Sequence, residues 1–147
     1  MKNEDNKYYV AYGMNLCEYY MQPIPQDAYP LTASVINDHK LVFRAGLATI
    51  EPCEGSNVPV GVWAITKKME RALDVREGYP SLYRKEFIDI DAAEYGIVSA
   101  MVYIMNGDEP LSPPNNYYES IIREGYVNWN LDTEYLNEAI AEAEAVE

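Results

Sequence analysis

From Thr32 to Thr66 the chain reads as strand after strand with no helix between them, and this succession limits the fold more than any other feature. The segment "TASVINDHKLVFR" is expected to form two strands joined by a turn at Asn37-Asp38-His39-Lys40. "LATIEPCEGSNVPVGVWAIT" adds a strand, a turn at Glu54-Gly55-Ser56-Asn57, and a strand rich in Val and Ile. Strands that follow one another through tight turns pair antiparallel, because a parallel pair needs a long crossover.

The flanks supply the rest. "YYVAY", residues 8–12, is beta-prone and apolar enough to be a buried strand, and it runs directly into Gly13-Met14-Asn15. Asn15 is expected to cap a short helix through "LCEYYMQ" that ends before Pro23 and Pro25, and "PIPQDAYPLTA" is expected to be loop. Thr66 caps a helix through "KKMERALDVREG", with Met69, Ala72 and Leu73 on one face and Gly78 just past its end. "LYRKEFIDI" and "GIVSAMVYIM" read as strands, "NGDEPLSPPNN" as loop, "YYESIIRE" as a helix ending at Gly125, and Asp132 as the cap of a last helix. No regular strand-helix-strand repeat is present, so the expected class is α+β: a small mixed or antiparallel sheet, closing into a barrel, with flanking helices. At 147 residues the expectation is a single domain over 1–147.

The net charge of −13 argues against nucleic-acid binding and against adhesion to an anionic membrane, since no basic stripe offsets it. No apolar run reaches the ~20 residues needed to span a bilayer, and MKNEDNK lacks the apolar core of a secretory signal. The default expectations are a cytoplasmic location and a monomer. Cys17 and Cys53 lack CxxC spacing and are expected to be free thiols.

The chemistry available is narrow. The lone histidine, His39, falls in an expected turn beside Asp38 and Lys40, which leaves no credible base for a Ser-His or Cys-His pair. No ligand-spaced cluster suggests a metal and no Gly-rich loop suggests a phosphate, so neither metal nor cofactor is expected. An enzyme built from this chain works with carboxylates, tyrosines (there are 14) and backbone amides. Glu77 is the carboxylate in the most suggestive position. It lies in the last helical turn before Gly78, at the negative end of the helix dipole and near tyrosines, where both dipole and burial raise its pKa. Such a glutamate both accepts and returns a proton near neutral pH. Arg76 or Arg84 opposes that shift if either points inward.

Taken in order, strand-YGMN-helix, "VPVGVWAIT", "ALDVREG" with "YR" close behind, "LSPPNNYYESIIREG" and "LDTEYL" resemble the gamma-glutamylcyclotransferase superfamily. Members carry a YGSN-like loop, a G-x-[VL]-W-like strand, an LD-x-x-EG helix end and a P-S-P-x-x-Y-like helix, and the resemblance runs from about Tyr9 to Leu136. It implies a small mixed barrel with flanking helices and a small-molecule gamma-glutamyl substrate. It also implies cyclisation to 5-oxoproline with release of an amine or amino acid, without a cofactor. Carried over residue by residue, Tyr12, Gly13, Met14 and Asn15 form the binding loop and Glu77 is the acid/base. Tyr118 lines the pocket, and Tyr83 is a second candidate for the same wall. The family commonly has serine where this chain has Met14. A serine acting through its N–H would be replaced without loss, whereas one acting through its hydroxyl would not. The alternative is a catalytically inactive relative that binds a small metabolite or a partner protein. A plain interaction domain would instead place Tyr12, Glu77 and Tyr118 far apart.

Overall fold

The computed structural model describes residues 7–21 and 27–145. Its centre is β1 (Lys7–Ala11), whose Tyr9, Val10 and Ala11 are buried on both faces, as a central strand requires. β1 pairs antiparallel with β3 (Leu47–Ile65) and parallel with β5 (Ile97–Met105). β2 (Ala28–Arg44) flanks β3 and β4 (Tyr83–Asp91) flanks β5, giving the order β2-β3-β1-β5-β4. The mixed α+β architecture is the one expected, but the barrel is loose. β2 and β4 share no ladder, and the two edges meet through contacts such as the Ser34 hydroxyl donating to the Asp91 carbonyl at 2.7 Å.

Three expectations about the strands need correction. Of the expected loop, positions 23–26 lie outside the described residues, but Ala28–Ala33 is strand. Pro30 is tolerated there because β2 is an edge. The expected turns at Asn37–Lys40 and Glu54–Asn57 do not reverse the chain. They face each other as one irregularity within a continuous β2-β3 ribbon, with Asn37 paired to Asn57 and His39 to Pro52. Asp38 and Gly55 both take positive φ (59° and 86°), and the Gly55 N–H donates to Asp38 Oδ1 at 3.0 Å. The reversal is instead at Ala45-Gly46, where φ of 53° and 80° gives the two-residue hairpin turn whose twist matches the strands. β1 covers only Gly61–Ile65 of β3, so the rest of the ribbon is free to curl toward β5. The Met105 N–H then donates to the buried Thr49 hydroxyl at 3.0 Å.

The helices hold the segment that follows β1. Met14–Leu16 is one 3-10 turn and α1 (Glu18–Met21) is short, so Asn15 caps no helix. α2 (Lys67–Arg76) starts as expected, with the Thr66 hydroxyl accepting from the Met69 N–H at 3.1 Å, and Glu77 is its C-cap residue. Met69 and Leu73 are buried while Ala72 is exposed, a narrower apolar face than expected.

α3 (Asn116–Asn128) runs through Gly125 instead of stopping there. A Cβ on Gly125 would lie 2.5 Å from Leu16 Cβ and 2.9 Å from the Cys17 nitrogen, so glycine is what lets α3 press on the turn. Past the helix end, the Trp129 indole N–H donates to the Leu16 carbonyl at 2.7 Å. Trp129 packs edge-on against Trp63 over Gly61, where a Cβ would come within 2.6 Å of the ring. α4 (Glu134–Glu144) covers β2, with Thr133 as its N-cap residue and the Asp132 carboxylate accepting from the Glu134 N–H at 2.9 Å. No helix among the described residues is long and apolar enough to cross a membrane. Cys17 and Cys53 are free.

Candidate active site

A cavity of about 210 Å3 opens where the C-terminal end of β1, the tip of the β2-β3 ribbon, the end of α2 and the first turn of α3 converge. Tyr12, Gly13, Met14, Asn15, Glu77, Tyr83 and Tyr118, the residues singled out in the sequence, all line it. Tyr9, Leu47, Ala48, Arg76, Leu82 and Tyr103 complete the lining. A domain without a pocket is thereby ruled out. His39 is not among these residues, and no group of three or more His, Cys, Asp or Glu among the described residues is placed to hold a metal.

The polar wall is a chain of hydrogen bonds. Arg76 donates to Asn15 Oδ1 at 2.8 Å and to the Tyr20 carbonyl at 3.2 Å. The Asn15 amide nitrogen donates to Glu77 Oε2 and to the Tyr9 hydroxyl oxygen, each at 2.9 Å. Its orientation is fixed by its partners: a guanidinium only donates and a carboxylate only accepts, so Oδ1 faces Arg76 and Nδ2 faces Glu77. Burial pushes the Glu77 carboxyl above its ordinary range, and the Asn15 hydrogen bond and Arg76 charge offset only part of this. Of the two arginines expected to oppose the shift, Arg76 points inward; Arg84 instead pairs with Glu86 at 2.7 Å on the outside.

The five tyrosines divide by what their hydroxyls do. Tyr12 donates to the Tyr103 carbonyl and Tyr83 to the Ala48 carbonyl, both at 2.6 Å, and Tyr103 donates to Asp74 Oδ1 at 2.6 Å. Those three present ring surface to the cavity. Tyr9 and Tyr118 are acceptors instead, Tyr9 from Asn15 and Tyr118 from the Ala48 N–H at 3.1 Å. Each therefore keeps a proton with no acceptor among the described residues. Burial holds both phenols neutral: Tyr118 is pushed up to about 12, and Tyr9 higher still. A Cβ on Gly13 would stand 3.2 Å from Ala48 Cβ and 3.9 Å from the Tyr118 oxygen, so glycine keeps this part of the cavity open. The N–H groups of Met14 and Asn15 begin the 3-10 turn and have no acceptor among the described residues.

Sequence reasoning missed Tyr9 and Tyr103 and left the direction of Arg76 open.

A mixed sheet that ends its central strand in a tight turn against a helix-terminal glutamate defines a recognisable class of fold and site. Residues 9–128 match the family described as gamma-glutamyl cyclotransferase, AIG2-like, and the chain belongs to that family. Among solved structures it resembles an uncharacterised protein, loc79017, from Homo sapiens, at 25% identity over 98% of this chain and 89% of that one, with a TM-score of 0.77. A structure named gamma-glutamyl cyclotransferase superposes with a TM-score of 0.76 at 24% identity, over 97% and 88% of the two chains. YkqA from Bacillus subtilis gives 0.77 at 20% identity, the match covering 97% of this chain but 56% of that one. No curated protein sequence matches the chain.

Proposed function

We propose that the protein is a gamma-glutamyl cyclotransferase, converting a gamma-glutamyl amine or gamma-glutamyl amino acid to 5-oxoproline with Glu77 as the proton carrier. The observation that carries this reading is the half-buried Glu77 carboxyl, held above its ordinary pKa beside the Gly13-Met14-Asn15 turn in a chain of this family. The substrate supplies its own nucleophile. Its α-ammonium gives a proton to the Glu77 carboxylate, and the amine nitrogen attacks the γ-carbonyl carbon to form the five-membered ring bond. Glu77 returns that proton to the leaving nitrogen, the C–N bond to it breaks, and the ring nitrogen then loses a second proton by the same route. The α-nitrogen thus loses two protons and a primary leaving amine gains two and departs as its ammonium, so charge and protons balance.

Holding the glutamyl chain folded supplies much of the rate, because the reaction is intramolecular. The N–H groups of Met14 and Asn15 and the Tyr118 hydroxyl are suited to the substrate's α-carboxylate or to the oxyanion that develops on the γ-carbonyl. The outer lining, Met14, Leu47 and Leu82, is apolar, and the cation in the lining is turned to Asn15 and Tyr20. A leaving group with an apolar body and no second carboxylate suits that mouth best.

Met14, where the family commonly has serine, favours a second reading: binding of a gamma-glutamyl compound without turnover. The deciding experiment measures 5-oxoproline release from gamma-glutamyl amines, gamma-glutamyl dipeptides and glutathione, with Glu77→Gln in parallel. Release by the wild type that is lost in Glu77→Gln is expected. Tight binding with no release from any compound would replace the enzyme with a binding protein.

A further inference from the structure

Arg76 stands in the cavity lining with its guanidinium engaged by the protein. Its Nη1 is 2.8 Å from Asn15 Oδ1, and its Nη2 is 3.2 Å from the Tyr20 carbonyl, which anchors the guanidinium to α1. Its hydrogen bond into the polar wall is the one to Asn15. We propose that Arg76 is a positioning residue: by holding Oδ1 it turns both amide hydrogens of Asn15 inward, one onto Glu77 and one onto Tyr9, so that the Tyr9 proton is left to be donated to the substrate.

The argument rests on donor and acceptor counting. An amide side chain has one accepting end and one donating end. Without Arg76 the accepting end of Asn15 loses its charged partner, and only the Glu77 carboxylate then holds the amide in place, so protonation of Glu77 lets it rotate by half a turn. A rotated amide sets Oδ1 toward a Glu77 that must then stay protonated, and accepts the Tyr9 proton that the arrangement found leaves unused. In the arrangement found, Asn15 occupies a lone pair of Tyr9, so the Tyr9 O–H points elsewhere, and the cavity is what Tyr9 lines. The Tyr9 phenol is kept neutral by burial and by the nearby Glu77 charge, which suits a donor that never ionises. Asn15 and Tyr9 are both buried, so bulk water does not compete for these contacts.

The groups facing Glu77 are few. Tyr9 and Tyr12 come from β1 and the residue after it, Tyr83 from β4, Tyr118 from α3, and Arg76 precedes Glu77 on its own helix. Burial keeps all four phenols protonated. Among the described groups that interact with Glu77, Arg76 is therefore the cation whose removal changes its titration.

This inference rests on the cyclotransferase reading for its chemistry, but its test does not depend on turnover. The Glu77 side-chain carboxyl is followed by 13C NMR across pH, assigned with Glu77→Gln, in the wild type, Arg76→Met and Arg76→Lys, each checked for folding by its melting temperature. Glu77 is expected to titrate at higher pH in Arg76→Met and to return toward the wild-type position in Arg76→Lys, which keeps the charge and a donor. With a turned-over substrate, kcat in Arg76→Met falls about 10- to 100-fold while KM moves by less than about threefold, and Arg76→Lys regains part of the loss. A Glu77 titration that does not move in folded Arg76→Met overturns the proposal. A wild type without turnover, together with a shifted Glu77 titration, would uphold the hold of Arg76 on the site and overturn only the reading of the reaction. If Arg76→Met fails to fold, Arg76→Gln, which keeps a donor but not the charge, takes its place in the same titration, and a Glu77 titration that does not move there overturns the proposal.

Discussion

Glu70 and Glu77 lie on or at the end of the same helix, two turns apart, and their carboxyls are displaced in opposite directions. Burial would push Glu70 up, but hydrogen bonds from Lys7 at 2.8 Å and Lys85 at 2.5 Å outweigh it and hold the group below its ordinary range. Lys85 also binds Asp74 at 2.9 Å and lies 4.3 Å above the Tyr79 ring, so the middle of α2 is tied to β4 by a compact network. Glu77 is half-buried too, but its partners are one amide hydrogen and a cation already engaged elsewhere, and its group rises. Burial is common to both; the difference is whether the neighbours neutralise the charge. Where they do, the carboxylate stabilises the fold. Where they do not, it is left able to exchange a proton at the cost of stability.

The largest expected effect comes from removing the poorly neutralised member. Glu77→Gln should lower 5-oxoproline release by about 10^2- to 10^4-fold, the range of a lost general acid/base. The same variant should not lower the melting temperature. Because the folded-state pKa of Glu77 is raised, ionising it works against folding, and the stability it permits is full in acid and lost as pH rises through the folded value. Thermal melts should therefore show Glu77→Gln gaining on the wild type near neutral pH and little or nothing near pH 4.

Glu70 should behave with the opposite sign. Its lowered pKa contributes stability that is present above the unfolded value and lost as pH falls through the folded one. Denaturant melts of Glu70→Gln should show a loss near neutral pH that shrinks in acid, and Lys85→Met should cost about 1–3 kcal/mol at pH 7. Equal pH trends in the two glutamate variants would end the comparison.

Smaller effects sharpen it. Tyr118→Phe removes one of the two phenolic protons in the cavity lining that lack an acceptor among the described residues, and kcat should fall by about tenfold, roughly one hydrogen bond, while the freed Ala48 N–H lowers stability slightly. Tyr83→Phe instead frees a buried carbonyl, and calorimetry should register it mainly as lost stability of about 1 kcal/mol. The smallest effect belongs to Arg84→Met: Arg84 pairs outside the cavity with an exposed Glu86, so 5-oxoproline release and stability should both stay near wild type.

How much of this was legible follows from where each signal resides. Helix α2 was readable because its cap, its apolar spacing and its closing glycine are all local, and Glu77 came with them. The ends of the β2-β3 hairpin were readable at Arg44 and Leu47, but Asp38 and Gly55 were mistaken for turn residues. The backbone they need, positive φ, is the same whether the chain reverses or merely bulges. Gly125 misled for a related reason: glycine after charged residues looks like a helix end, while its use here is to let Leu16 approach. Asn15 had the composition of a cap, but Arg76 and Glu77, distant in sequence, claim its side chain. The division of the tyrosines into wall and donors was beyond reach, because it depends on which backbone carbonyl each hydroxyl meets across the sheet.

The most direct test of the account compares two curves: the pH dependence of kcat/KM for the best gamma-glutamyl substrate, and the 13C titration of the Glu77 carboxyl in the free protein. The account predicts that the acidic limb of the rate profile coincides with the Glu77 titration, above the ordinary carboxylate range, and that Glu77→Gln abolishes it. A limb at a different pH, or one that survives in Glu77→Gln, would contradict Glu77 as the proton carrier.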